Sequence, residues 1–162
     1  MAPTWTITVS SIGRFLALST DVPAAAGAPA TLVADLSLEL FPAAYQTSVD
    51  HILVESVDLH LDTVINVAVR RPRLRRRSAA GILQSWAARN TQGTGDSVDY
   101  AFGSQVSPPA AGLLSQLALE SLPFPLTLLS AAAEFLRVDV DAVVVGDTMP
   151  RLAIGGRLVF RP

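Results

Sequence analysis

The sequence predicts an all-β domain, and three observations carry that prediction. Apolar and polar residues alternate with a period of two in several separate segments, the pattern of a half-buried strand. The segments are short, and loops rich in Pro, Gly, Asp and Ser separate them. Among 162 residues there are 11 Pro, 10 Gly and no Cys, so the core has to come from packed sheets, without disulfides or thiolate-bound zinc.

Trp5, Ile7 and Val9 alternate with Thr6, Thr8 and Ser10 and predict the first strand. The loop DVPAAAGAPA follows, its Pro and Gly excluding regular structure. Leu32, Ala34, Leu36, Leu38 and Leu40 alternate with Val33, Asp35, Ser37 and Glu39 and predict the second strand. A helical turn is expected to open at Pro42, whose fixed φ suits a helix start. The third strand places Leu53, Val57, Leu59 and Leu61 on one face, with Val54, Ser56, Asp58, His60 and Asp62 on the other. Ile65, Val67 and Val69 predict a short strand that runs directly into residues 70–77. There Pro72 removes a backbone donor, and a loop is expected.

Ser78 is placed to cap a helix in which Ala79, Ile82, Leu83 and Trp86 share one stripe, ending near Arg89 and Asn90 before TQGTG. Val98, Tyr100 and Phe102 predict another strand. Between residues 108 and 129 the pattern divides: Ala110, Leu113, Leu114 and Leu117 fit a helix, while Leu126 to Leu129 follow two prolines and fit a strand. Leu136, Val138, Val140 and Ala142 predict the penultimate strand, and Leu152, Ile154, Leu158 and Phe160 the last. About eight strands with one or two short helices in the connections point to a single domain over residues 1–162, an eight-stranded jelly-roll β-sandwich. An immunoglobulin-like sandwich ranks second, because helices interrupt the strand order and no Cys, Trp, Cys spacing exists.

Charge supplies the functional clue. The chain has no lysine, and half of its 12 basic residues lie within residues 70–77, RRPRLRRR. Arg70, Arg71, Arg73, Arg75, Arg76 and Arg77 repel one another and are expected to stay out of the core, against solvent, carboxylates or a polyanion. Planar guanidinium forks suit phosphate, which makes nucleic acid the first partner to consider. A solvated loop that only opposes aggregation is the plainer reading. Net charge is −2 at pH 7, so any attraction to nucleic acid has to be local. Half of the residues are hydrophobic and 16% are charged, little polar surface for a monomer, so subunit interfaces are expected to cover the excess. No apolar run reaches the length of a membrane span, and no membrane partner is expected. The start, MAPTWTITVSS, lacks a basic segment followed by an apolar one, so the mature chain is expected to begin here without a secretory signal.

Catalytic and metal chemistry find little support. Asp58, His60 and Asp62 project from one face of a strand, with neighbours roughly 7 Å apart. Such a row could hold a divalent ion between subunits, but a polar outer face is much the plainer reading, and no metal or other cofactor is assigned. His51 stands in no motif and reads as a loop or interface residue. There is no G-x-S-x-G elbow, and Gly93 to Asp96 lack the lysine of a phosphate loop. No catalytic residue is assigned, and the chain is not expected to be an enzyme. Trp86 reads as core, and Trp5 as core or as an anchor for a neighbouring subunit.

Three segments carry a resemblance. TSVDHILVESVDLHLDT resembles the stretch of the tymovirus-like coat proteins in which a short helix runs into the fourth strand, and VINVAVRRP resembles their fifth strand with its proline exit. FLRVDVDAVVV, a Pro-bearing loop and LAIGGRLVF resemble their last two strands, including a glycine within the final one. The resemblance implies a jelly-roll subunit of an icosahedral T=3 shell, about 180 copies around a positive-sense single-stranded RNA genome. It also implies a virion protein, present in host cytoplasm during assembly, with no long basic N-terminal arm. This chain departs from the pattern in being shorter, in lacking lysine and cysteine, and in its arginine block. Two other readings remain at this stage. A non-viral nucleic-acid-binding β-barrel should interleave stacking aromatics with its basic residues, and the block holds none. An oligomeric β-sandwich binding module leaves the arginines without a role.

Overall fold

The computed structural model describes residues 4–19, 22–23, 30–62, 72–87, 90–94, 97–101, 124–143 and 148–162. Their strands are β1 (Trp5–Val9), β2 (Arg14–Ser19), β3 (Val22–Pro23), β4 (Ala30–Leu36), β5 (Val49–Asp62) and β6 (Pro72–Ser78), followed by β7 (Gly81–Ala87), β8 (Asn90–Thr94), β9 (Ser97–Ala101), β10 (Leu126–Leu129), β11 (Phe135–Val143) and β12 (Thr148–Phe160). One short helix, α1 (Ala43–Gln46), opens after Pro42 as expected. No described helix is long and apolar enough to cross a membrane.

The strands form two antiparallel sheets, so the chain is all-β. The larger runs β1-β2-β12-β5-β9-β8, with β10 also on β5 and β3 on β12, and the smaller runs β4-β11-β6-β7. Alternate side chains of each sheet turn inward. Phe15, Ala17, Ile52, Val57, Leu59, Leu152 and Ile154 come from the larger sheet, and Ala34, Leu36, Leu74, Leu136, Val138 and Val140 from the smaller. Phe41, just before α1, meets Phe15 edge-on at 5.2 Å and closes one end of this core.

Three expectations are corrected, and one strand was missed. The segment 32–40 is not one strand: β4 stops at Leu36, and Leu38–Leu40 wind into a 3-10 turn. The strand β2 follows a tight turn in which Gly13 adopts φ +84, a conformation that favours glycine. Its alternation of Phe15, Ala17 and Ser19 inward was not read in the sequence. The arginine block is a strand from Pro72 onward and not a loop. The helix expected after Ser78 is the strand β7: Ser78 and Gly81 pair across a hairpin turn, where Gly81 takes φ +127 and Ala80 N donates to Ser78 Oγ at 3.2 Å. A stripe of spacing three and four fits a helix and not a strand's period of two, and pairing with β6 overrode it. The strand expected over residues 65–69 and the helix expected near residues 110–117 lie outside the described residues.

The third predicted strand is present as β5, but its inward phase changes midway. Ile52 and Val54 are buried, and then Val57 and Leu59, because Glu55 is an extra residue between pairs Gly156–Val54 and Gly155–Ser56. Such a bulge shifts the alternation by one and bends the strand. Leu53, expected inward, is therefore out of the core row, and Val54 takes its place.

Candidate nucleic-acid interface

The sequence singled out six arginines, and strand geometry sorts those that are described. Arg70 and Arg71 lie outside the described residues. Arg73, Arg75, Arg76 and Arg77 lie on β6, which is paired on both sides, with β11 and with β7. Successive side chains of a strand point to opposite faces. Leu74 and Arg76 therefore turn toward the core side, and Arg73, Arg75 and Arg77 turn outward.

Arg76 sits where an apolar residue would be expected, and a carboxylate makes this possible. Its Nε donates to Glu134 Oε2 at 3.0 Å, its Nη2 to Glu134 Oε1 at 2.8 Å, and its Nη1 to Gln84 Oε1 at 2.9 Å. Glu134 Oε2 also accepts from the amide of Leu129 at 2.8 Å, and the glutamate side chain is only 4% exposed. The bidentate fork satisfies both ions at once, the condition for burying such a pair. It ties β6 and β7 to the turn between β10 and β11. Arg76 was expected to sit against solvent, a carboxylate or a polyanion; it sits against Glu134, with its side chain still a quarter exposed.

The bonds from Arg76 hold the Glu134 carboxyl below its ordinary value near 4.5, helped by the Leu129 amide and the arginine's charge against the opposing effect of burial. A depressed carboxyl stabilises the fold fully above its unfolded pKa, and that contribution is lost as pH falls through the folded value. Acid titration should therefore show stability declining below pH 4.5. Glu134→Gln should be less stable at neutral pH and should show a flatter acid limb. Parallel curves for the two proteins would remove Glu134 from the acid response.

The outward face of the smaller sheet is a lattice of opposite charges. Arg75 stands across from Arg137 on β11, which stands across from Asp35 on β4; Arg73 stands across from Asp139. Arg137 Nε and Nη2 donate to the two oxygens of Asp35 at 2.7 and 2.8 Å. That bond raises the guanidinium pKa above its usual value, with the charges of Asp35 and Asp139 adding to it and desolvation opposing it. Arg75 Nη1 lies 3.2 Å from Asp139 Oδ2, and the Asp139 side chain is 2% exposed beneath it. Arg77 has no carboxylate partner among the described residues. Four arginines thus share this face with two aspartates among its described side chains, and positive charge is in excess. Phe135 is the one aromatic among the described side chains there, and Arg137 lies over its ring at 5.6 Å. Trp86, across from Leu74, packs against the core instead.

Asp58 and His60 do share the outer face of β5, with Val57 and Leu59 buried behind them; the Asp62 side chain lies outside the described residues. Among the described residues no group of three or more acidic or histidine side chains is arranged to hold a metal. His51 is on β5, not in a loop, and its Nδ1 lies 2.7 Å from Asp50 Oδ2. A cleft of about 400 Å³ opens beside the Arg76–Glu134 pair, lined by Asp35, Ser37, Gln46, Glu134 and Phe135 among others. Two of its carboxylates, Asp35 and Glu134, are already engaged by arginine.

Sequence reasoning found the arginines and missed Asp35, Glu134, Arg137 and Asp139. The alternation of Arg137 and Asp139 along a strand was visible, but not which strand lies across from it. Comparison with protein-family models, with curated proteins and with solved structures finds no match to this chain.

Proposed function

We propose that this chain is a viral coat subunit of the tymovirus-like kind: an eight-stranded jelly roll that assembles with many copies of itself into an icosahedral shell around single-stranded RNA. The strand order carries this reading. Take β2, β4, β5, β6, β7, the pair β9 and β10, β11 and β12 as eight successive steps. The first pairs with the last, the second with the seventh, the third with the sixth and the fourth with the fifth. A single long hairpin rolled over two sheets gives that pairing, and a jelly roll of two Greek keys is such a roll. The closing pairs, β12 with β5 and β11 with β6, then complete the sheets.

The outward arginines support the RNA part of the reading. Side chains two apart on a strand repeat at about 6.6 Å, a spacing suited to successive phosphates of an extended strand. With a single aromatic among the described side chains of the face, already covered by Arg137, base stacking has little platform there, so contact with the sugar-phosphate backbone fits best. The proposed work is assembly, shielding and condensation of RNA, without catalysis.

Electron microscopy of the expressed protein should reveal closed particles, and a monodisperse monomer across pH and salt would sink the proposal. In Arg73→Gln/Arg77→Gln, which leaves the Arg75–Asp139 and Arg76–Glu134 pairs in place, particles should form but carry less nucleic acid by ultraviolet absorbance. The salt dependence of RNA binding should flatten by about 1.4 in log–log slope for two lost phosphate contacts. Equal nucleic acid content in intact particles of both proteins would detach this face from packaging.

A further inference from the structure

The larger sheet ends at β1, which pairs only with β2 among the described residues. Its sequence, Trp-Thr-Ile-Thr-Val, contains no charge, proline or glycine. Edges of this kind usually carry a lysine, a proline or a bulge that discourages further pairing. This one carries none, and its hydrogen-bond phase shows what it can accept. Ser10 N donates to Arg14 O at 2.7 Å, and the register continues through Val9–Phe15, Thr8–Leu16 and Ile7–Ala17. Antiparallel pairs alternate between hydrogen-bonded and non-bonded. Thr6 and Thr8 therefore direct their backbone groups toward β2, and Trp5, Ile7 and Val9 direct theirs to the side of β1 on which no described strand pairs.

We infer that β1 pairs antiparallel with β1 of a second copy about a two-fold axis through Ile7, extending the larger sheet across the interface. The strand is chemically palindromic about that residue. Ile7 falls opposite Ile7 of the partner subunit, Trp5 opposite the partner's Val9, and Thr6 opposite the partner's Thr8. The half-buried apolar row then meets an apolar row on the core side, and exposed threonines meet threonines on the outer side. This register also brings the outward backbone groups of Trp5, Ile7 and Val9 face to face, for about six new hydrogen bonds. Aromatic with β-branched and Thr with Thr are favourable cross-strand combinations. The other sheet's edge, β7, lacks this symmetry: centred on Gln84, it sets Leu83 against Ser85.

The inference names a contact between the copies of the proposed shell and in that respect rests on it, yet the two can fail separately. The chain has no cysteine, so an introduced one reports on its own contact. In the proposed register the Ile7 Cα atoms stand about 5.5 Å apart, within the disulfide range of about 4.4–6.8 Å. Mild oxidation of Ile7→Cys should give a covalent dimer on a non-reducing gel. Thr8→Cys alone, whose equivalent positions are displaced along the strands, should give at least about ten times less. Co-expressed Thr6→Cys and Thr8→Cys chains should cross-link to each other; both positions are exposed, so this arm holds even if Ile7→Cys folds poorly. Particles without either cross-link would overturn the β1 pairing and leave the shell standing. Cross-linked dimers without particles would do the reverse.

Discussion

Glu134→Ala is expected to destabilise the protein by about 2–3 kcal/mol, the upper range for buried groups deprived of their acceptor, because Arg76 is a quarter exposed and can in part rehydrate. The variant leaves the Arg76 guanidinium on the core side with Gln84 as its remaining acceptor, and the Leu129 amide loses its carboxylate. The unpaired Leu129 amide and a partly desolvated cation set the size of the loss more than the absent attraction does. The double variant Arg76→Met/Glu134→Leu should recover most of it, since an apolar pair of similar bulk needs no counter-charge. Denaturant unfolding at fixed protein concentration measures both. A loss below about 1 kcal/mol for Glu134→Ala would place the pair with solvent-exposed bridges, which contribute little.

Gly156→Ala is the second large effect, a loss of about 3 kcal/mol or more. A Cβ there would fall on the carbonyl oxygen of Leu53 and come within 3.1 Å of the Phe15 ring. The obstructing atom is backbone in β5, fixed by its pairing with β12, so relief requires parting the two central strands beside the bulge. Gly155→Ala meets a softer neighbour, Ser56 Oγ at 2.8 Å, a side chain that can rotate away. The melting temperature should fall by roughly 6–12 °C for the first, at about 2–4 °C per kcal/mol in a chain of this length, and by clearly less for the second. Similar melting for both variants would mean that the strands accommodate the methyl group.

What could be read from the sequence depended on how local each cause was. The later strands β11 and β12 were legible because alternation alone defines them. The hairpin of β6 and β7 was not, since only Leu74 marks β6 as having an inner face and the density of arginine around it reads as solvent-seeking. Ile82, Leu83 and Trp86 suit a helix until a neighbouring strand claims their backbone. The phase change at Glu55 depends on its placement opposite two glycines of β12, about a hundred residues later. The candidate site follows the same division. Its arginines were visible as a cluster, but the carboxylates beside them come from β4, β11 and the turn before β11, and Asp35 is 102 residues from Arg137. Register across strands assigns those partners, and a single sequence does not reveal register.

The opposite facing of neighbouring arginines on β6 bears on how such a segment can change over generations. Arg77 has no carboxylate partner among the described residues, so its exchange for another polar residue alters charge without breaking an ion pair there. Arg76, one step away, is a strut whose loss is felt through Glu134 in a different part of the chain. Selection can therefore adjust the anion affinity of this strand at Arg77, while Arg75 and Arg76, each paired with a buried carboxylate, stay under structural constraint. Affinity and foldability become separately heritable within seven consecutive residues.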